Sequence, residues 1–363
     1  MKPRTFLAAF LLCSAAVAQV RDPLPVPDIP GYKTLKGDFH IHTVFSDGQV
    51  WPTTRISDAW RDGLDVLALT DHAGGRTHAE DLKPDLRRPF LIGRAPASDY
   101  GLLLIEGVEV AQGLTHCNAL FVKDPNEVAD ADLMTALRKL KAQGACVFWN
   151  HPGWRRAPEW FPDVDAAHRE GIIRGMELIN DAEYYPEVLP WFEQKKLAVF
   201  CNSDVHGAMA PQTCADRRQI TLVFAASYDT AAVREAIEAR RTAAWRHGEV
   251  WGAEAHLRGL WEGAVRVTPT SVSIPAGARY TGLRWENVSA IPFRIQLRNA
   301  PAWLSGVSSD LPGQRTAWSR LEVSKGAPPG THRVDLDLEI TNFHTLAGTN
   351  LVVRLPVEIR IAR

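Results

Sequence analysis

Histidines and acids recur in this sequence at the ends of short apolar segments. In GDFHIHTVFSDG, residues 37–48, His40 and His42 are one residue apart, and Asp47 follows in a Ser-Asp-Gly turn. Alternate side chains of a strand point to the same face, so the two imidazoles face the same way. Two imidazoles on one face are costly to bury unless something binds them.

The same pattern returns after the later apolar segments. LALTDH, EGVEV, THCNALF, FWNHPGW and CNSDVHG supply the further candidate ligands His72, Glu109, His116, His151, Asp204 and His206. Six imidazoles and three carboxylates at one site would be hard to hold without cations. Because this donor set contains no thiolate, it suits Zn²⁺, Mn²⁺ or Fe²⁺. Asp71 would face away from its neighbour His72 on a strand, which favours a supporting role.

The elements that must position these residues alternate in type between about residues 35 and 250. Strand-like segments include LDVLALT, LLLIEGVEV, GACVFWN, GMELIN, LAVFCNS and ITLVFA. Helical patterns lie between several of them, in TTRISDAWRDG, DADLMTALRKLKAQG and DTAAVREAIEARR. The alternation predicts the α/β class with a parallel sheet, and about seven such strands predict a (β/α)7 barrel. Strand C-termini share one rim of a barrel, so the candidate ligands would converge there.

The two ends of the chain differ from this middle part. Residues 1–18 have the positive start, apolar core and small-residue cleavage site of a signal peptide, which predicts export to the periplasm or medium without a membrane anchor after cleavage. Residues 19–34 form a proline-rich extended arm. Alternating β-branched residues in 255–363 predict a small all-β, sandwich-like domain, and 35–254 is then the catalytic unit.

The amino-acid composition bears on which kinds of molecule the protein binds. The formal net charge is −1 and the pI is about 6.9, and no run of basic residues occurs. We therefore expect no nucleic-acid partner. The four cysteines after the signal segment, Cys117, Cys146, Cys201 and Cys214, form no Cys-x-x-Cys pair, and Cys146 and Cys201 lie in apolar segments typical of buried thiols.

The ordered motifs that contain the candidate ligands resemble those of a known family. HIHTVFSDG, LTDH, GVEV, HCNALF, NHPGW and NSDVHG resemble, in order, the motifs of the PHP superfamily of metal-dependent phosphoesterases, over roughly residues 35–250. With the signal peptide, the PVPDIPGYKTLKGDFHIHTVFSDG opening and the β-rich tail, the chain resembles more narrowly the Sb-PDE family of bacterial phosphodiesterases. The resemblance implies a distorted barrel and hydrolysis of a small phosphodiester by attack of a metal-bridging hydroxide.

The resemblance also implies which residues hold two or three divalent ions. One ion would be bound by His40, His42, Glu109 and Asp204. A second would share Glu109 and add His116 and His151, and a third would be bound by Asp47, His72 and His206. Glu109 is preferred to Glu106 because Gly107-Val108-Glu109 matches the family pattern Gly-x-Glu.

Several neighbours of these ligands are candidates for contacts with the substrate. Arg76 and His78 follow His72, and Arg155 and Arg156 follow His151, where they could contact phosphate oxygens. His78 is a candidate general acid, and solvated loop charge is the alternative for all four. Asn150 and Asn202 are candidates for orienting ligands. Four aromatic residues could line the site or simply pack, namely Trp154, Trp160, Tyr184 and Tyr185.

Other functions use similar residues. A phosphomonoesterase of the histidinol-phosphatase type and an oligonucleotide exonuclease are the nearest alternatives to a phosphodiesterase. A metal-dependent amidohydrolase would need a lysine on a later strand, and these strand ends offer none. A non-catalytic binding protein is disfavoured by the complete set of candidate ligands.

Overall fold

The computed structural model describes residues 20–75, 77–129, 131–210 and 218–362. The predicted signal peptide, Arg76 and Cys214 lie outside the described residues. Cys146 and Cys201 are buried free thiols, as their apolar surroundings predict, and Cys117 is a buried free thiol as well. No described helix is both long and apolar enough to cross a membrane.

The first two thirds of the chain alternate strands and helices. The strands are β1 (Lys33–Asp38), β2 (Val66–Leu69), β3 (Leu103–Gln112), β4 (Thr115–Leu120), β5 (Cys146–Trp149), β6 (Ile173–Asn180), β7 (Glu183–Tyr184), β8 (Ala198–Asn202), β9 (Ile220–Ala225), β10 (Thr242–Arg246) and β11 (Glu249–Gly252). The helices are α1 (Pro52–Arg61), α2 (Arg88–Asp99), α3 (Leu133–Ala142), α4 (Pro162–Arg169), α5 (Leu189–Gln194) and α6 (Thr230–Glu238). The three helices predicted from sequence patterns correspond to α1, α3 and α6.

Helix α3 shows why these segments fold as they do. Its buried residues Leu133, Ala136, Leu137 and Leu140 have the spacing that places side chains on one face of a helix. Asp132 precedes the helix and accepts a 3.1 Å hydrogen bond from the Thr135 backbone N–H, which satisfies a donor of the first turn. The apolar face then packs on the sheet.

The strands form a mixed sheet rather than a uniformly parallel one. β1, β2 and β3 are parallel, as are β5, β6 and β8, but β4 pairs antiparallel with both β3 and β5, and β9 pairs antiparallel with β1. The reason is local, because only Gly113 and Leu114 separate β3 from β4, and Gly113 adopts a φ of 62° in this tight turn. So short a connection cannot contain a crossover helix. The prediction of a distorted (β/α)7 barrel is therefore not confirmed.

The chain segments that follow β1, β2 and β8 meet at one edge of this sheet. The backbone N–H of Asp204 donates to the His40 carbonyl at 2.9 Å, and that of His42 donates to the Val205 carbonyl at 3.1 Å. The backbone N–H of Thr70 donates to the Ile41 carbonyl at 2.9 Å. Distant parts of the sequence are thereby brought together where the candidate ligands lie.

The last third of the chain is rich in strands, as predicted. It comprises α7 (Glu254–Ala264), β12 (Val265–Thr268), β13 (Ser271–Ile274), β14 (Tyr280–Asn287), β15 (Phe293–Asn299), β16 (Leu304–Ser305), β17 (Ser309–Leu311), β18 (Thr316–Val323), β19 (Gly330–Thr345) and β20 (Asn350–Ile361). β12, β14, β18 and β16 form a four-stranded sheet whose buried side chains share a core with those of β15, β19 and β20. β19 also pairs in parallel with β11, so the sandwich-like part is continuous with the first sheet.

Candidate metal centre

The nine predicted ligands converge on a single cluster. They come from β3, from β4 and from the segments that follow β1, β2, β5 and β8. Most of their side chains are shielded from solvent, and His40 and His42 are fully buried. The structure thus brings together residues that are up to 166 positions apart in the chain, from His40 to His206.

Glu109 lies at the centre of the cluster. Its side chain is 1% exposed, and its two carboxylate oxygens face five imidazoles. Oε2 lies 3.2, 3.2 and 3.1 Å from ring nitrogens of His40, His42 and His72, and Oε1 lies 3.0 and 3.7 Å from those of His116 and His151. A carboxylate in this position can bridge neighbouring cations.

Two further carboxylates complete the cluster. Asp204 Oδ1 lies 3.1 Å from Nε2 of both His40 and His42. Asp47 Oδ1 lies 3.2 Å from Nε2 of His206, and its Oδ2 lies 3.5 Å from Nε2 of His72. Every imidazole of the cluster therefore has a carboxylate oxygen close by.

Four groups of side chains bring ligand atoms within 4.8 Å of one another, which suits a metal ion. They are His42, Asp47, His72 and His206; His40, His151 and Asp204; His40, His42 and Glu109; and His72, Glu109 and His116. The residues are those of the predicted set, but their grouping differs from the expected one. His151 groups with His40 and Asp204, whereas the resemblance placed it with Glu109 and His116.

Three polar atoms in the cluster are buried without a hydrogen-bond partner among the described residues: His42 Nε2, His151 Nδ1 and Asp204 Oδ1. His42 Nε2 is close to two carboxylates, but its geometry to them is not that of a hydrogen bond. Buried polar atoms left in this way are costly unless a ligand satisfies them. With donors consisting of imidazole nitrogens and carboxylate oxygens, the cluster fits divalent cations.

The electrostatic field of the cluster favours positive charge. Burial disfavours a charged His42, but the nearby carboxylates of Asp204 and Glu109 outweigh burial and raise its pKa to about 9. Burial likewise opposes a charged His40, whose pKa the same carboxylates raise well above its usual range. Burial alone would raise the pKa of Glu109, yet the His40 and His72 imidazoles hold it well below the usual range. Protons and cations therefore compete for the same imidazoles.

The remaining shifts have the same origin. The pKa of His151 is raised, because Glu109 outweighs the effect of burial. The pKa of Asp47 is lowered despite burial by His206 and His72, and that of Asp204 is lowered despite burial by His40 and His42.

A solved structure matches nearly the whole chain. It is a two-domain protein from Bacteroides vulgatus that contains a predicted PHP-like metal-dependent phosphoesterase, and it is 34% identical. The match covers 94% of this chain and 100% of that chain, with a TM-score of 0.86. This chain belongs to the PHP-like family.

Two other solved structures match less of the chain. A metal-dependent phosphoesterase from Bifidobacterium adolescentis is 18% identical, with 56% of this chain and 96% of that chain covered and a TM-score of 0.41. An amidohydrolase from Chromobacterium violaceum is 17% identical, with 47% and 87% covered and a TM-score of 0.35. No protein-family model and no curated protein matches the chain.

The supporting residues of the PHP-like centre include three that sequence reasoning selected. Asp71 accepts hydrogen bonds from the Thr43 backbone N–H and the Ser46 hydroxyl, both at 2.7 Å, so it holds the segment that carries Asp47. Asn150 Nδ2 donates to Glu109 at 2.9 Å, and Asn202 Nδ2 donates at 2.9 Å to the buried carboxylate of Glu177.

Sequence reasoning missed two other supporting residues. Glu177 is fully buried in β6 and lies 3.0 Å from Nδ1 of His40. Arg55, on α1, is 1% exposed and donates to backbone carbonyls on both sides of the cluster. A lone acid in the apolar segment GMELIN was an available signal for Glu177, whereas nothing in the α1 pattern distinguishes Arg55 from a surface arginine.

Of the residues predicted to contact the substrate, some lie beside the metal-ligand cluster and others lie away from it. Arg155 is exposed, and its guanidinium carbon lies 4.1 Å from the ring centre of Trp154, whose ring also contacts His116 and His151. Arg156 instead stacks on Phe161 at 3.5 Å.

His78 is half-buried in a turn, where its carbonyl accepts hydrogen bonds from the backbone N–H groups of Asp81 and Leu82. It lines neither of the two cavities beside the cluster that are described below. Its role as general acid therefore has no geometric support. Glu106 also points elsewhere, because it pairs with Arg87 at 2.8 Å. Trp160 packs against Trp149 and Trp191, as the packing alternative predicted.

Two cavities border the centre. One, of about 370 Å³, is bounded by Asp47, His72 and Glu109 and by the apolar side chains of Val110 and Val128. The other, of about 510 Å³, is bounded by Asp204 and His206 and by the polar residues Asp181, Ser203 and Gln219. Candidate ligands therefore line both cavities.

Proposed function

We propose that this chain is an exported, metal-dependent phosphodiesterase that hydrolyses small phosphodiesters. The observation that carries the proposal is the convergence of six imidazoles on three carboxylates, with Glu109 between five of the rings. Family membership supports a phosphoesterase, since the 34% identical relative contains a predicted metal-dependent phosphoesterase.

The charge of the centre suits an anionic substrate. Three divalent ions carry about +6, and Asp47, Glu109 and Asp204 supply three negative charges, which leaves a surplus of about +3 when the imidazoles are neutral. The formal charge of the whole chain is −1, so an anion would be attracted locally rather than by the surface as a whole. Bound divalent ions would supply Lewis acidity toward water and phosphoryl oxygens.

The chain's own residues have separate tasks in this scheme. The nine ligands hold the ions, and Asn150 keeps the Glu109 carboxylate in place through its amide. Arg155, above Trp154 at the rim, is placed to donate hydrogen bonds to a phosphate oxygen. The imidazoles must be neutral to act as ligands, so ion binding displaces the protons that the carboxylates otherwise favour.

Two features favour a small diester over the alternatives. A diester has two ester groups, and cavities border the centre on the Glu109 side and on the Asp204 side. Asp181 in the second cavity would repel the further phosphates of a polynucleotide. The narrower resemblance to the Sb-PDE family agrees with this substrate class.

The function is tested with protein that begins at Gln19 and is loaded with Mn²⁺, Zn²⁺ or Fe²⁺. We expect a higher kcat/KM for bis-p-nitrophenyl phosphate than for p-nitrophenyl phosphate. The reverse ranking would support a monoesterase, and faster cleavage of single-stranded oligonucleotides would support the exonuclease alternative. His151→Ala should lose more than about 100-fold in kcat/KM with an unchanged circular dichroism spectrum, since it removes a ligand rather than a supporting group.

A matched control for this variant is His168→Ala. His168 lies on α4, and its Nε2 bonds to the Lys195 carbonyl outside the cluster. Export is tested separately by expressing the full chain and sequencing the N-terminus of the periplasmic protein, which should begin at Gln19.

A further inference from the structure

Glu177 is surrounded by hydrogen-bond donors. Its Oε1 lies 3.0 Å from His40 Nδ1 and accepts from the Asn202 amide at 2.9 Å. Its Oε2 accepts from the His151 backbone N–H at 2.7 Å and from the Asn180 amide at 2.9 Å. Four contacts saturate the acceptor sites of a carboxylate, so this side chain has one orientation.

The contact with His40 selects which of its ring nitrogens can bind a cation. The 3.0 Å distance to Glu177 is shorter than the 3.4 Å from Nδ1 to the Asn180 amide, so Nδ1 carries a hydrogen and donates it to the carboxylate. In the neutral imidazole, Nε2 is then the lone-pair nitrogen. Nε2 faces Glu109 and Asp204, at 3.2 and 3.1 Å.

The contact with His151 holds an unfavourable backbone. His151 adopts a φ of 28°, in a region that non-glycine residues rarely occupy. Such a conformation persists only where neighbouring groups determine it. The 2.7 Å bond from its N–H to Glu177 is one such constraint, and it fixes where the His151 ring is placed.

We propose that Glu177 is the positioning residue for one particular ion, the one bound by His40, His151 and Asp204. Those three residues form a candidate metal group of their own, and Glu177 contacts two of them directly. The group of His40, His42 and Glu109 contains one of its partners, His40, and the other two groups contain neither His40 nor His151. The inference rests on the metal binding of the proposed function but not on the substrate.

Glu177→Gln distinguishes this role from a merely structural one. The His151 N–H can only donate, so the amide oxygen of the glutamine must face it, and the amide NH₂ then faces His40. His40 can accept that hydrogen only by moving its own proton to Nε2, which removes the lone pair from the cation position. The side-chain volume is unchanged, so the fold should be retained.

The experiment measures bound metal rather than activity. Wild-type protein and the Glu177→Gln variant are stripped of metal with a chelator, reloaded with Zn²⁺ and freed of excess ion. The number of ions bound per chain is then measured by elemental analysis. The affinity for each ion is measured by competition with a chromophoric chelator. We expect the variant to retain one ion fewer, or to bind its weakest ion 10- to 100-fold less tightly. Equal metal content with affinities within twofold would overturn the proposal.

Two further variants keep the test decisive. Glu106→Gln is the matched control, because it makes the same change at a β3 residue that pairs with Arg87 rather than with any ligand of the cluster, and it should bind metal like the wild type. If Glu177→Gln does not fold, Glu177→Asp replaces it, and a folded Glu177→Asp with wild-type metal binding would also overturn the proposal. Since no substrate is used, failure of the phosphodiesterase assay leaves this result interpretable.

Discussion

Arg55 Nε donates a 2.8 Å hydrogen bond to the carbonyl oxygen of His42. The other guanidinium nitrogens donate to the carbonyls of Val205, His206 and Gly207 at 3.0, 2.7 and 2.7 Å. One buried side chain from α1 thus ties the segment after β1 to the segment after β8. These two segments carry ligands of the same candidate group, His42 and His206.

Arg55→Met should therefore weaken both the fold and the centre. The change removes a donor from four carbonyls, of which those of Val205 and His206 keep backbone N–H donors. Each buried group left unpaired costs about 1–3 kcal/mol, so we expect a loss of about 2 kcal/mol or more in the free energy of unfolding. Urea denaturation with metal bound measures it. Arg94→Met, at an exposed position of α2, should change stability by no more than about 0.5 kcal/mol. Equal effects of the two changes would contradict this role for Arg55.

The metal-free protein should lose stability as the pH rises from about 6.5 to 9. Burial disfavours a charged His42, but the nearby carboxylates of Asp204 and Glu109 raise its pKa to about 9. Because the folded state holds this proton more tightly than the unfolded chain, the stabilisation is complete below pH 6.5 and is lost as the pH rises through 9. A shift of this size corresponds to about 3 kcal/mol.

The measurement is chemical denaturation of chelator-treated protein at a series of pH values. Protein loaded with Zn²⁺ is the control, and it should not lose stability over this range, because metal binding strengthens as the imidazoles lose protons. A metal-free protein whose stability rises between pH 6.5 and 9 would argue against the carboxylate-rich surroundings of His42.

Arg155→Ala should raise KM for a diester substrate with little change in kcat. Its guanidinium lies over Trp154, whose ring contacts two of the ligand imidazoles. A charged hydrogen bond at an exposed position contributes about 1 kcal/mol, so we expect KM to increase about fivefold. Arg156→Ala is the control, since Arg156 stacks on Phe161 instead. If both variants behave alike, the rim position of Arg155 has no part in substrate binding.

Much of the metal centre could be predicted because its ligands are histidines and acids, which can be recognised in the sequence. Imidazoles and carboxylates after apolar segments predict a shared rim, and the structure brings all nine candidate ligands, Glu109 among them, into one cluster. Which ligands group around each candidate ion could not be predicted, because this depends on the directions of the side chains. The spacing of residues in the sequence does not determine those directions. His151 illustrates this, since its left-handed backbone turns it toward His40 and Asp204.

The fold was predictable where local signals and packing agree. Helices α3 and α6 have acidic N-caps and an apolar face, and both occur as expected. The uniformly parallel barrel was not confirmed, because a tight turn at Gly113 makes β4 antiparallel to β3. Arg55 could not be recognised from the sequence, because its role depends on backbone carbonyls far away in the chain, whereas the lone acid in GMELIN was a signal for Glu177.

The β-rich tail pairs directly with the first sheet. Val250, Trp251 and Gly252 of β11 pair with Phe343, His344 and Thr345 of β19. The Asn342 amide donates to the Gly248 carbonyl at 2.6 Å. The N-terminal arm also reaches the tail, because the Ala290 N–H donates to the Pro25 carbonyl at 2.6 Å.

Deletion of residues 255–363 should therefore prevent the remaining chain from folding stably. The deletion would expose the edge of β11, remove most of α7 and leave apolar residues such as Trp251 and Leu24 without their cover. We expect a chain ending at residue 254 to be insoluble or to melt without a cooperative transition by circular dichroism. Trp318→Ser, at a side chain 68% exposed on the tail, is the control and should melt like the wild type. A soluble truncated chain with a sharp transition would instead show that the PHP-like part folds alone.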